Sequence, residues 1–171
     1  MKILITYFSQ TGNTERVARG ICEEASQAND AELKKLEDVS WSDLAGYDFV
    51  FIGSPLHSAN LAAPIKEFLG NIQSGSVQKM AGFITHFAPA YPDQAMDGFT
   101  EPIKTACKEN NIEYKGCFDC QGILTESLHE MVKKKQNFSD EQWEGMVKQM
   151  TGRPNEEDVA KAREFAREVL A

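Results

Sequence analysis

The sequence predicts an α/β fold in which a mostly parallel sheet is covered by helices on both faces. Short apolar runs alternate with segments of helical period almost from end to end. The apolar runs are continuous rather than alternating, as expected of strands buried on both sides. The chain has 171 residues, 42% hydrophobic and 26% charged, which fits one globular domain spanning 1–171 with no linker or internal repeat.

The elements follow in order. Residues 2–8 form the first strand, and Val17, Ile21 and Ala25 recur at helical spacing within a helix over 14–28. Residues 31–36 read as an edge strand, and Ser40 and Ser42 before Leu44 as a brief helical turn. Asp48 to Gly53 is a buried strand that Ser54-Pro55 should end. Pro64 opens a helix with Ile65, Phe68 and Leu69 on one face, as suits proline in a first turn. Met80 to Phe87 is the fourth strand, 96–110 a helix, and Ile112 to Cys120 the fifth strand. Asn155 caps a last helix over 155–170, whose first turn is acidic. Between the last strand and the last helix lies a helical excursion, 126–151. Its apolar residues Leu128, Met131, Val132, Phe138, Trp143, Met146, Val147 and Met150 should pack against the sheet domain or a partner.

The net charge of −8 and pI of 4.9 disfavour nucleic acid as a partner, since a duplex binder carries a basic face. An acidic surface instead suits solubility and docking to basic partners. No run approaches the ~18 apolar residues of a transmembrane helix. Four cysteines make no disulfide framework in a chain of this size, and the expected compartment is the reducing cytoplasm. Cys117 and Cys120 are three apart on a strand, so their thiols point to opposite faces and suit neither a disulfide nor a shared metal.

Candidate chemistry sits at the carboxyl ends of the strands, where open α/β sheets bind ligands, in the loops 9–14, 54–63, 86–95 and 120–126. Ser9-Gln10-Thr11-Gly12-Asn13-Thr14 joins the first strand to the first helix. Unpaired N–H groups at a helix start, a glycine that lets the backbone curl, and three hydroxyls suit a phosphate. A helix cap alone also uses these residue types; the position directly after an apolar strand favours the anion. The loop lacks the lysine of a nucleoside-triphosphate loop and the G-x-G-x-x-G pattern of dinucleotide sites.

These six residues resemble the phosphate loop of flavodoxins. Gly53-Ser54-Pro55-Leu56-His57, with Ala63-Pro64-Ile65-Lys66-Glu67-Phe68-Leu69 after it, is similar to the second FMN loop of flavodoxin-like proteins. Thr85-His86-Phe87 resembles the start of the third. The resemblance covers roughly residues 1–125 and the last helix; the excursion lies outside it. It implies a flavodoxin-like three-layer α/β/α sandwich with a five-stranded parallel sheet, FMN as cofactor, electron transfer as function, and as partner a redox protein with a basic surface or a small redox acceptor. The alternative is an FMN-dependent NAD(P)H or quinone-type oxidoreductase of the same fold. The implied cofactor contacts are Ser9, Gln10, Thr11, Gly12, Asn13, Thr14, Pro55, Leu56, His57, Ser58, Asn60, Thr85, His86, Phe87, Tyr91 and Cys120. Leu56, His57, Phe87 and Tyr91 are candidate walls for a planar ring; His57 also reads as an exposed loop residue, and His86 as one satisfying a backbone carbonyl. Flavodoxins commonly place Trp or Tyr where Leu56 and His57 stand. No glycine follows Pro55 in the second loop, so Asn60 is the residue expected to take positive φ most readily there.

Overall fold

The computed structural model describes residues 1–88 and 93–171, the side chain of Asp93 excepted. Among the described residues there are six strands: β1 (Lys2–Tyr7), β2 (Asp30–Lys35), β3 (Phe49–His57), β4 (Asn60–Leu61), β5 (Lys79–His86) and β6 (Glu113–Gln121). Five pair in parallel in the order β2-β1-β3-β5-β6, and the two-residue β4 folds back antiparallel on the end of β3. Helices α1 (Asn13–Ala25), α2 (Ala63–Gly70), α3 (Asp93–Glu109) and α6 (Glu156–Leu170) flank the sheet. The excursion becomes a short 3₁₀ turn (Glu126–Leu128), α4 (His129–Lys135) and α5 (Asp140–Met150). No described helix is long and apolar enough to cross a membrane.

Period-two alternation divides the core between the faces. Ile3, Ile5, Phe49, Phe51, Ala81 and Phe83 meet Val17, Ile21, Ala162 and Ala166 of α1 and α6. Leu4, Val50, Ile52, Met80 and Ile84 meet Ile65, Phe68 and Leu69 of α2, Ile103 of α3, and Leu44. The order fits the sequence expectation, with boundaries moved by a few residues. One boundary differs in kind: β3 continues through Ser54-Pro55 to His57. Its pairing with β1 stops at Gly53, so beyond that point it has an open edge where a proline's missing N–H breaks no ladder. The excursion is half as expected. Trp143 and Met150 are buried, while Leu128 and Met131 are exposed.

α1 and α6 lie side by side although far apart in sequence, with ion pairs Arg16–Glu156, Arg163–Glu23 and Arg167–Glu24 along their flank. At the other edge, β2 is bordered by charge, as an open sheet edge tends to be. Tyr47 Oη donates to Glu32 Oε2 (2.8 Å), Lys34 Nζ donates to Tyr47 Oη (2.9 Å), and Lys34 pairs with Glu32 at 2.6 Å. Lys34 and then Tyr47, by hydrogen bonding, hold the Glu32 carboxyl down at about 2. This folded value lies below the ~4.3 of an unfolded glutamate, so the stabilisation is complete above that and is lost as pH falls through about 2. Glu32→Gln should therefore lower stability by only ~0.5–1 kcal/mol near neutral pH, since the pair is partly exposed, and the gap should close in acid. Urea unfolding of both proteins across that range checks this; a gap that persists at the acid end would exclude the ion pair as its cause.

Candidate functional site

β1 delivers the chain to the carboxyl edge of the sheet, and the next residues turn it sharply into α1. Gly12 makes the turn with φ of 89°, a left-handed conformation that costs other residues ~1–2 kcal/mol. Its N–H donates to Ser9 Oγ (3.1 Å), and its carbonyl accepts the first helical bond, from Arg16 N (3.0 Å). The N–H groups of Asn13, Thr14 and Glu15 therefore precede the first intrahelical bond and are left to face the loop.

Two side chains of this loop tie it to the rest of the sheet edge. Thr14 Oγ1 and Thr85 Oγ1 are 2.8 Å apart and buried, linking the loop to the end of β5. Asn13 Nδ2 donates to the Ile123 carbonyl (2.8 Å), linking it to the chain beyond β6. That approach requires Gly122: a Cβ there would lie 2.6 Å from Asn13 Nδ2. The Gly122 N–H in turn donates to the His86 carbonyl (2.7 Å). Below it, Gln121 Nε2 donates to the Phe87 carbonyl (2.7 Å). The His86 ring lies between two oxygens, with Nδ1 2.8 Å from the Ala88 carbonyl and Nε2 2.9 Å from Asp119 Oδ2. His86 thus fixes the third loop to β6, with its side chain buried.

Together these segments enclose a small cleft, about 100 Å³ in volume, at the carboxyl edge. Ser9, Gln10, Thr11, Asn13, Thr14, Pro55, Leu56, His57, Thr85, His86 and Phe87 line it. So do Gly122, Ile123, Leu124, Thr125 and Leu128, none of them among the expected contacts. Gly122 was the available signal, a glycine directly after the fifth strand. No lysine or arginine lines the cleft among the described residues.

Several expected contacts stand elsewhere. Gly12 shapes the loop from outside the lining. Cys120 is buried on the α1/α6 face of the sheet and does not reach the cleft, because its strand position points it inward. Ser58 and Asn60 are in a hairpin beyond the cleft. There Ser58 (φ 49°) and Ala59 (φ 61°) both take positive φ, while Asn60 pairs with His57. A two-residue turn that matches strand twist needs positive φ at both central positions, so the hairpin register overrides the residue preference that pointed to Asn60. His57 is exposed, with its ring edge-on to Phe8 at 6.3 Å. Tyr91 lies outside the described residues.

A larger recess, about 770 Å³, opens between α2 and the segment after β2, lined by Phe8, Trp41, Phe68 and Lys35 among others. It shares only Ser9 with the cleft and touches no other residue of the Ser9–Thr14 loop, so size alone does not make it the cofactor site. Burial raises the thiols of Cys22, Cys117 and Cys120 and takes Cys107 to about 11, which disfavours the reactive thiolate.

Two outcomes follow from this geometry. Thr14→Val should strand a buried Thr85 hydroxyl and cost ~1–3 kcal/mol, while Thr14→Val combined with Thr85→Val should cost less than the sum of the single changes. Denaturant unfolding of the four proteins measures this, and additive losses would mean the hydroxyls do not bond to each other. Alkylation of the folded protein, followed by mass spectrometry, should leave Cys107, Cys117 and Cys120 largely unmodified while the unfolded chain reacts at all four cysteines.

A family model for the flavodoxin domain matches residues 4–167. The chain is 28% identical over 171 residues to the uncharacterized protein MJ0298 of Methanocaldococcus jannaschii, covering 99% of each. It is also 28% identical to the flavodoxin-like domain-containing protein BilS of Clostridioides difficile, covering 99% of this chain and 97% of the relative. Among solved structures, oxidised flavodoxin 1 of Bacillus cereus superposes with a TM-score of 0.66 at 19% identity, over 99% of this chain and 97% of that one. The general stress protein 14 of Treponema denticola, solved in complex with FMN, superposes with a TM-score of 0.58 at 13% identity, over 96% and 99%. With strand order 2-1-3-5-6, a glycine-turned loop after β1, and the family model spanning nearly its whole length, the chain belongs to the flavodoxin-domain family.

Proposed function

We propose that the protein binds one FMN non-covalently in the carboxyl-edge cleft and serves as an electron carrier. The observation that carries this reading is the Ser9–Thr14 loop. It offers a helix start, a left-handed glycine and uncharged donors, with no lysine or arginine, at the position the family uses for a cofactor phosphate. The donor set suits a phosphate monoester. Ser9 and Thr11 supply hydroxyls, and Asn13, Thr14 and Glu15 supply backbone N–H groups. Because Asn13 and Thr14 use their side chains to brace the loop, they act on the ligand through their backbones and through position. The cleft volume is far below the ~300–1,000 Å³ of sites that enclose a whole cofactor, so it suits the phosphate end. Leu56, His57 and Phe87 would hold the ring system.

Bound FMN supplies reversible electron acceptance; the chain supplies binding, position and electrostatics. The T. denticola structural neighbour solved with FMN adds support from fold.

The test compares flavins. FMN should quench its fluorescence on titration into the cofactor-free chain and bind at least tenfold more tightly than riboflavin, which lacks the phosphate. Equal affinities would remove the loop from the site. Thr11→Val should weaken FMN several-fold, by ~1–2 kcal/mol, and leave riboflavin affinity and the unfolding midpoint unchanged. Steady NAD(P)H consumption with a quinone by the purified protein would move the assignment to the reductase.

A further inference from the structure

We infer that the recess between α2 and the segment after β2 is a second ligand site, one that takes a small aromatic cation. The inference goes beyond the cofactor reading and stands without it.

The recess holds about 770 Å³, within the ~300–1,000 Å³ of pockets that enclose a whole small molecule. It opens where β2 ends at Lys35 and the chain crosses back in two short 3₁₀ turns, Leu36–Asp38 and Trp41–Gly46, with no long helix to cover that part of the sheet. Leu36 and Leu44 pack into the core, but Trp41 lines the recess and stays 37% exposed. Its indole makes no ring contact among the described residues, so the fold does not need it there. The turn that carries it is fixed. The Ser40 N–H donates to Asp43 Oδ2 (2.8 Å), and the Asp43 N–H donates to the Ser40 carbonyl (3.0 Å). On the facing wall α2 presents Pro64, Glu67 and Phe68, a stripe at helical spacing. Phe8, directly after β1, adds a third aromatic ring.

Three rings and one surplus carboxylate select the occupant. The charged residues of the lining are Lys35, Glu37 and Glu67. Lys35 Nζ and Glu37 Oε1 are 4.0 Å apart, and the two charges offset each other. Glu67 forms no ion pair among the described residues. Its neighbour Lys66 lines the groove between α2 and α3 instead, and Lys34 is held by Glu32. The recess is therefore negative by one charge, in a chain of net charge −8. Aromatic faces attract a cation, the carboxylate adds to the attraction, and an anion is repelled by both. A planar ring that bears the charge uses the whole lining: its body is desolvated against Trp41, Phe8 and Phe68, and its charge faces Glu67. The recess adjoins the cofactor cleft without coinciding with it. Ser9 lines both, and the Phe8 ring meets that of His57 edge-on at 6.3 Å.

N-methylquinolinium is the probe, with quinoline as its uncharged parent and naphthoate as an anion of like size. Binding to the full chain, with and without FMN, is followed by NMR through the two indole N–H signals and through broadening of the probe's own lines. The cation should move the Trp41 signal saturably and leave Trp143 in place. It should bind at least fivefold more tightly than quinoline, with naphthoate weakest. Glu67→Gln should bring the cation down to quinoline's affinity without altering quinoline's own. Trp41→Ala should weaken both several-fold, with the unfolding midpoint and FMN affinity unchanged. Equal affinity for the three probes, a preference for naphthoate, or a Trp41 signal that does not respond would each overturn the inference. So would displacement of the probe by FMN, because the recess would then belong to the cofactor. A chain that holds no FMN yet keeps its preference for the cation would overturn the cofactor reading and leave the second site standing.

Discussion

The site depends on the approach of Gly122 to Asn13. At that point the loop after β1, the end of β5 and the chain leaving β6 are held by two hydrogen bonds, Asn13 Nδ2 to the Ile123 carbonyl and Gly122 N to the His86 carbonyl. A side chain at 122 would drive the Asn13 side chain away from the chain leaving β6, since its Cβ would lie 2.6 Å from Asn13 Nδ2 and 2.8 Å from its Cγ. The donors of the Ser9–Thr14 loop are therefore arranged by contacts that the loop does not make with any ligand. Such bracing sets the cleft before anything binds, and a site held in place loses less ordering entropy on binding.

How much of this was legible in the sequence depends on distance along the chain. The turn from β1 into α1 is local: apolar strand, glycine and helix start are consecutive, so both the element and its chemistry could be read. Of the wall at Gly122–Thr125 only its place in the loop after the last strand was legible; the contact of Ile123 with Asn13 was not, because the two stand 110 positions apart. The second loop failed for another reason. Residue preference pointed to Asn60, but pairing of His57 with Asn60 put the positive φ on Ser58 and Ala59. Cys120 was read as a strand-end residue near the ligand. The strand runs one residue further, to Gln121, and Cys120 points into the core. In the excursion, counting apolar residues located helices but not their inner faces; Trp143 and Met150 went in, Leu128 and Met131 stayed out.

Electrostatics also marks the cleft. Among the described residues no lysine or arginine lines it, so an anion held there would be met by oriented N–H and O–H groups, whose reach is short.

The side-by-side packing of α1 and α6 bears on how the chain is made. Arg16 and Glu156 meet across 140 positions, and Val17 and Ile21 share a core with Ala162 and Ala166. During synthesis at roughly 5–20 residues per second, α1 emerges many seconds before the helix that covers it. For that interval α1 alone covers its face of the sheet, and the part that α6 will cover stays open. The last helix completes a layer of the core that the first one began, so that layer closes only once residues 156–170 have been made.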